Sequence, residues 1–201
     1  MRTVSPHEAV AAIRAGNVAL VPTETVVGLV AEESGVSRIR EIKGRDANKP
    51  IALLCVSAED AFGLAANVPP LARDLANRYW PGPLTLVLDL PSGGTIGVRV
   101  PAGSAVRDLL EAYGAPLYAT SANLSGQPAT ASPDEVDPQV LESVDVVVRG
   151  ERGSGEASAV VDLSGCNVRL VRATGEMTSE TLARLARATS NFKRGNERPV
   201  R

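Results

Sequence analysis

Ile51-Ala52-Leu53-Leu54-Cys55-Val56 is apolar throughout and lacks the alternation of a half-buried strand, so it reads as a strand covered on both faces. Working toward the N-terminus, Ser37 can cap a short helix ending near Ile42, immediately before Lys43. Thr23-Glu24-Thr25-Val26-Val27-Gly28-Leu29 reads as a turn leading back into packed structure, after a short buried strand over residues 18–21 that stops at Pro22. Ser5-Pro6-His7-Glu8 sets a cap, a proline at the first helical position and a glutamate at the third, which predicts a helix to about Ala15.

Toward the C-terminus, Ser57 caps a helix to about Ala65, and Pro70 opens another to Tyr79. Pro81-Gly82-Pro83 breaks the chain before strands over 84–90 and 96–100. Ser104 is expected to cap a helix ending at Gly114, followed by a strand over 117–119. Ser132-Pro133-Asp134-Glu135 repeats the helix start, strands follow over 144–148, 159–163 and 168–171, and Thr178 begins a last helix to about Ala188. Strands and helices alternate without a strict βαβ rhythm, which predicts a mixed sheet in an α/β or α+β domain. One catalytic domain over residues 1–190 is expected, with the polar, basic residues 191–201 as a disordered tail.

The 201 residues suit one domain with a full core, and aromatics at 3% make that core aliphatic. A net charge of −2 argues against bulk binding to a polyanion and leaves room for a local basic cleft. Cys55 sits inside an apolar run as a small core residue, and two distant cysteines, Cys55 and Cys166, make neither a disulfide framework nor a zinc site. No apolar stretch reaches the length of a membrane span and no signal peptide is visible, so the expectation is a cytoplasmic enzyme. His7 is the only histidine, which disfavours histidine-based nucleophilic triads and metal sites. No residue is assigned to a resident metal.

Lys43-Gly44-Arg45-Asp46-Ala47-Asn48-Lys49 is rich in cations. It reads either as a solvated loop or as a phosphate site. In the second case an extended backbone points Lys43 and Arg45 the same way, and Gly44 lets an anion approach. Ser121-Ala122-Asn123, following a strand, adds neutral hydrogen-bonding groups. Arg99 and Arg172 each lie at a strand end, where an arginine is either a surface charge or a ligand contact. Gly150-Glu151-Arg152-Gly153-Ser154-Gly155 lacks the strand-to-helix context of a phosphate loop and reads as a connection.

Taken in order, these segments resemble the YrdC/Sua5 family of threonylcarbamoyl-AMP synthases. The anchors are Pro22-Thr23-Glu24-Thr25-Val26-Val27-Gly28-Leu29, Lys43-Gly44-Arg45, Trp80-Pro81-Gly82-Pro83-Leu84-Thr85, Val98-Arg99-Val100-Pro101, Ser121-Ala122-Asn123-Leu124-Ser125-Gly126 and Ser158-Ala159-Val160-Val161-Asp162. The resemblance covers residues 5–188 and implies a twisted, mostly mixed sheet flanked by helices, with a large concave basic pocket. It implies condensation of L-threonine, bicarbonate and ATP, with Mg²⁺ accompanying the nucleotide, into L-threonylcarbamoyl-adenylate and pyrophosphate. The product would pass to the threonylcarbamoyl transferase machinery that acts on tRNA.

By the same resemblance, Lys43, Arg45, Ser121 and Asn123 surround the ATP phosphates and reacting carboxyl groups, with Lys49 and Arg172 as further nucleotide contacts. Thr25, Arg99 and Ser158 hold threonine. Val27 stands where the family usually has an aromatic, Leu54 where longer members often have histidine, Gly103 in place of a common histidine, and Ala159 in place of threonine. Val27 and Ala159 bear on amino-acid selectivity and sustain the alternative of a paralogue acting on another carbamate. A further alternative is a non-catalytic module that binds RNA through the same basic concavity, and weak RNA binding is a possible partner contact of the enzyme as well.

Overall fold

The computed structural model describes residues 2–44, 50–165 and 168–196, with side chains through residue 189. The strands are β1 (Arg2–Val4), β2 (Ala19–Val21), β3 (Gly28–Ala31), β4 (Ala52–Leu54), β5 (Leu84–Asp89), β6 (Thr95–Arg99), β7 (Leu117–Ser121), β8 (Val146–Val148), β9 (Ala159–Asp162) and β10 (Arg169–Arg172). The helices are α1 (Pro6–Arg14), α2 (Val36–Lys43), α3 (Ala58–Gly63), α4 (Pro70–Tyr79), α5 (Ser104–Tyr113), α6 (Pro138–Ser143) and α7 (Ser179–Asn196). All the strands join one mixed sheet in the order β1-β8-β2-β3-β7-β4-β6-β5-β9-β10. Both hands of pairing occur near the centre: β4 runs parallel to β6 and antiparallel to β7. No helix among the described residues is long and apolar enough to cross a membrane.

The two ends of this sheet are covered differently. At the β1-β8-β2-β3 end, Ile13 of α1 and Val106, Leu109 and Leu110 of α5 pack on one face. Ile39 and Ile42 of α2 and Val140 of α6 pack on the other. The period-2 alternation of strands does something else at the β4-β6-β5-β9 end. There, Leu84, Leu86 and Leu88 of β5 and Ile96 and Val98 of β6 turn toward α3, α4 and α7. Thr85 and Val87, and Thr95, Gly97 and Arg99, turn the other way, onto a face that forms the wall of a cleft. The central strand bears out part of the double burial expected of residues 51–56: Leu53 and Cys55 enter one cluster and Leu54 another, while Ala52 faces the cleft. Burial, with the Asp60 carboxylate nearby, pushes the Cys55 thiol up to about 12, so it behaves as a core group and not as a nucleophile.

Local signals placed several helix ends. Ser5 and Ser57 both make reciprocal capping boxes, with Glu8 and Asp60 respectively, and the Thr178 hydroxyl accepts from the Thr181 amide. Other expectations need correction. The cap of α5 is Gly103, and Ser104 is already helical. The helix expected from Ser37 begins at Val36, because a 3₁₀ turn over Glu33–Gly35 leads into it. Ser132 opens only a 3₁₀ turn (Pro133–Glu135), since Pro138 starts the true helix under an Asp137 cap. Gly28 and Leu29, read as the end of a turn, open strand β3, and the polar N-terminal stretch contributes strand β1. The last helix runs on to Asn196, past the expected stop near Ala188, so residues 191–196 are helical and not a disordered tail. Thr189 ties this helix down, its hydroxyl donating to Asp74 of α4 at 2.6 Å.

Candidate active site: a cleft with two unlike walls

Small residues on the uncovered sheet face create the concavity. Gly28 of β3, Ala52 of β4, Gly97 of β6 and Ala119 of β7 floor a cleft of about 420 Å³. A Cβ on Gly97 would lie 3.3 Å from that of Ala52, so the floor cannot be raised without the strands giving way. Among the described residues, the charged ones that line the cleft are Arg99 and Arg172, both cationic.

Arg99, at the end of β6, is 7% exposed. Its Nε donates to the Gly82 carbonyl at 3.0 Å, a group presented by the Trp80–Pro83 break. Its Nη2 donates to Glu24 Oε1 at 2.5 Å and to Thr25 Oγ1 at 3.0 Å. Three of the five guanidinium hydrogens are thereby used, and the two on Nη1 meet no acceptor among the described residues. Around it the polar groups form a closed chain. Thr23 donates its hydroxyl proton to the Val26 carbonyl at 2.7 Å, so the 2.9 Å contact between the two threonine hydroxyls has Thr25 as donor. Burial pushes the Glu24 carboxyl up, but the Arg99 guanidinium and the amides of Ala102 and Gly103 outweigh it and hold the group below the usual carboxylate range.

Arg172 stands on the same wall. Its Nε donates to the Ser158 carbonyl at 2.6 Å and its Nη2 to the Ser158 hydroxyl at 3.3 Å. That hydroxyl lies 2.9 Å from the hydroxyl of Thr85. Burial, and then the nearby charge of Arg99, lower the pKa of Arg172. Among the described residues, two guanidiniums against the one carboxylate of Glu24 give this wall an excess of positive charge suited to an anion. The structure therefore groups Arg172 with Ser158 and near Arg99.

The second wall is built differently. Lys43 is the last residue of α2 and is 3% exposed. The extended reading of Lys43-Gly44-Arg45 is corrected here, because Gly44 ends the helix in the left-handed region at φ 55°. The ammonium points into the turn after β7. It donates to the carbonyl of Ser121, to that of Asn123 at 2.6 Å and to Asn123 Oδ1 at 3.4 Å. The Asn123 amide donates to the carbonyls of Leu124 and Gln127 at 2.9 and 2.6 Å, and the Ser125 amide caps the Lys43 carbonyl at 3.0 Å. Ser121 itself lines the cleft. The structure thus brings Lys43, Ser121 and Asn123 together, with the lysine cross-linking the turn. Arg45 and Lys49 lie outside the described residues.

Sequence reasoning passed over Glu24, Thr23, Thr85 and Gly82, which fix the orientation of the residues it selected. The signal for Glu24 was its place between two threonines in the anchor segment. Val27 and Ala159 are both core residues, in clusters away from the cleft, although their neighbours Val26, Gly28, Ser158 and Val160 line it. Alternation sends these two side chains to the opposite side, so the two departures alter packing and leave the lining unchanged. Among the described residues no group of three or more His, Cys, Asp or Glu side chains could hold a metal ion.

Comparison with known proteins follows the geometry. The sequence pattern of the Sua5/YciO/YrdC family, described as "Telomere recombination", matches residues 11–174. A threonylcarbamoyl-AMP synthase of Pyrococcus abyssi is 39% identical over 176 residues, which make up 81% of this chain and 52% of the relative. The chain thus spans about half of that protein's length. A putative threonylcarbamoyl-AMP synthase of Mycobacterium leprae is 35% identical, with 82% of this chain and 80% of the relative covered. Among solved structures, P. abyssi Sua5 complexed with L-threonine superposes with a TM-score of 0.80 at 33% identity, over 92% of this chain and 60% of that one.

Proposed function

The chain belongs to the Sua5/YciO/YrdC family, and from that premise we propose that it condenses L-threonine, bicarbonate and ATP into L-threonylcarbamoyl-adenylate, releasing pyrophosphate. The single observation that carries the reading is Arg99: a buried guanidinium with its inner donors satisfied and Nη1 left over beside a cleft. A site that spends a buried cation in this way suits a small carboxylate, here the α-carboxylate of threonine. Thr25 and Ser158 flank that position and complete the amino-acid subsite.

In the proposed reaction the threonine nitrogen takes up the carbon of bicarbonate, with loss of water, to give a carbamate. A carbamate oxygen then attacks the α-phosphorus of ATP, and the bond to pyrophosphate breaks. Negative charge grows on the phosphoryl oxygens and the leaving group, which cations stabilise. Lys43, Arg45, Ser121 and Asn123 take this role, with Lys49 and Arg172 as further contacts to the nucleotide, and Mg²⁺ enters with ATP as part of the substrate. Lys43 does so by holding the Ser121–Asn123 turn in shape, with Ser121 meeting the substrate. A concave site also shields the labile carbamate from water. The product feeds the cytoplasmic threonylcarbamoyl transferase machinery that modifies tRNA; weak RNA contact through the basic C-terminal segment fits the same role.

Pyrophosphate release, measured with ATP, bicarbonate and a panel of amino acids, tests the reading. Release dependent on threonine is expected. No release with any amino acid, together with salt-sensitive RNA binding, would make the chain a binding module, and preference for another amino acid would make it a paralogue.

A further inference from the structure

The Thr23-Glu24-Thr25 segment is held from two directions by backbone that approaches too closely for a side chain. On one side is Gly103, where a Cβ would fall 2.8 Å from the Glu24 nitrogen. On the other is Gly153, where a Cβ would fall 2.4 Å from the Thr25 carbonyl oxygen and 2.5 Å from that of Thr23. The loop carrying Gly153 also saturates the segment: Ser154 donates its amide to the Glu24 carbonyl at 3.0 Å, and Gly155 donates its own to that of Thr25 at 2.8 Å. The glycine-rich connection that carries no phosphate-loop signature is therefore a clamp on the amino-acid wall.

Glu24 sits at the centre of this clamp, and its carboxylate is divided. Oε2 accepts the Gly103 amide at 3.0 Å, and Oε1 accepts Arg99 Nη2. Both oxygens are committed to donors, so the group is not placed to take a proton from substrate. Its effect falls on Arg99. By occupying Nη2 together with Thr25, Glu24 turns the fork inward and leaves Nη1 as the guanidinium nitrogen with open hydrogens. It also cancels one of the two cationic charges that Arg99 and Arg172 bring to the cleft.

We propose that Glu24 is a positioning residue for amino-acid recognition: anchored by the Gly103 amide, it orients Arg99 so that Nη1 alone meets the substrate carboxylate. This rests on the amino-acid subsite of the proposed function. A Gln at position 24 cannot serve, because it must present its amide hydrogens to either Arg99 or the Gly103 amide, both donors. An Asp keeps the charge, but its shorter stem cannot span both partners.

The test is calorimetric binding of L-threonine without ATP, alongside the KM for ATP, for wild type, Glu24→Gln and Glu24→Asp. Threonine affinity should fall in the order wild type, Asp, Gln, with the Gln variant roughly 30-fold weaker, the scale for breaking a buried charge pair at a binding site. The KM for ATP should stay within about twofold, a split that general loosening of the fold would not produce. A folded variant with wild-type threonine affinity overturns the inference. So does a parallel loss of both affinities, or failure of both variants to fold, since either assigns Glu24 to stability alone. Wild type that binds threonine but releases no pyrophosphate defeats the proposed reaction and leaves this inference standing; wild type that binds no threonine defeats both.

Discussion

The two walls of the cleft use their buried cations in opposite ways. Arg99 is braced by a carboxylate, a hydroxyl and a carbonyl, and still has donors to spare. Among the described residues, Lys43 directs its ammonium at its own neighbouring turn, onto Ser121 and Asn123. A planar guanidinium can be held along one edge and still offer another, whereas a compact ammonium turned into its own loop acts first on that loop. The Arg99 wall is therefore pre-organised to take an anion directly. The wall around Ser121 is a turn shaped from beneath by a lysine.

The largest expected effect is from Arg99→Ala. It removes the open donors at the cleft and leaves the partly buried Glu24 beside two amides without its counter-ion, so threonine binding should drop by at least about 100-fold and stability by about 1–3 kcal/mol. Urea unfolding and calorimetry read the two losses, and an unchanged threonine affinity would erase the distinction between the walls.

Lys43→Ala comes next. It leaves the carbonyls of Ser121 and Asn123 short of a buried donor, at a cost of about 1–3 kcal/mol, and it should slow ATP-dependent turnover through disorder of the turn. Full stability with loss of turnover would show that the ammonium works on phosphate directly, as the sequence reading supposed.

The extended backbone expected of this segment needed correction for a definite reason. Lys43-Gly44-Arg45 looked like an extended, exposed turn because two cations alternate with a glycine. Yet Ile39 and Ile42, buried at helical spacing, already continued the helix through Lys43. Strand β4 was legible because its apolar run lacks alternation, and Ser5, Ser57 and Thr178 because caps act within one turn of chain. Strand β1 was not, since it is a polar segment recruited by the parallel edge of Val146–Val148, more than a hundred residues away. The same limit hid Glu24: its partners, Arg99 and Gly103, adjoin it only once the sheet has formed.

Acid should separate the walls further. The folded pKa of Glu24 lies below its ordinary value of 4.5, so its contribution to stability is complete above that value and is lost as pH falls through the lower folded one. Unfolding free energies followed downward from pH 6 should decline in wild type, and Glu24→Gln should show a shallower decline. Identical slopes would mean that the ion pair contributes nothing to folding.

The smallest effect belongs to the C-terminus. Ending the chain after Ser190 removes the last turns of α7 but keeps Thr189 and its bond to Asp74, so pyrophosphate release should stay within about twofold, as expected for trimming a terminus that leaves the core intact. A large drop with circular dichroism unchanged would bring this segment into the site and join it to one of the walls.

The most direct test of the whole account is to incubate the protein with ATP, ¹³C-labelled bicarbonate and L-threonine and to identify the adenylate by mass spectrometry. The account predicts a threonine-containing adenylate carrying the label in a carbamoyl group, formed with pyrophosphate and absent when Arg99 is replaced by Ala. An unlabelled threonyl-adenylate, or no adenylate at all, would contradict it.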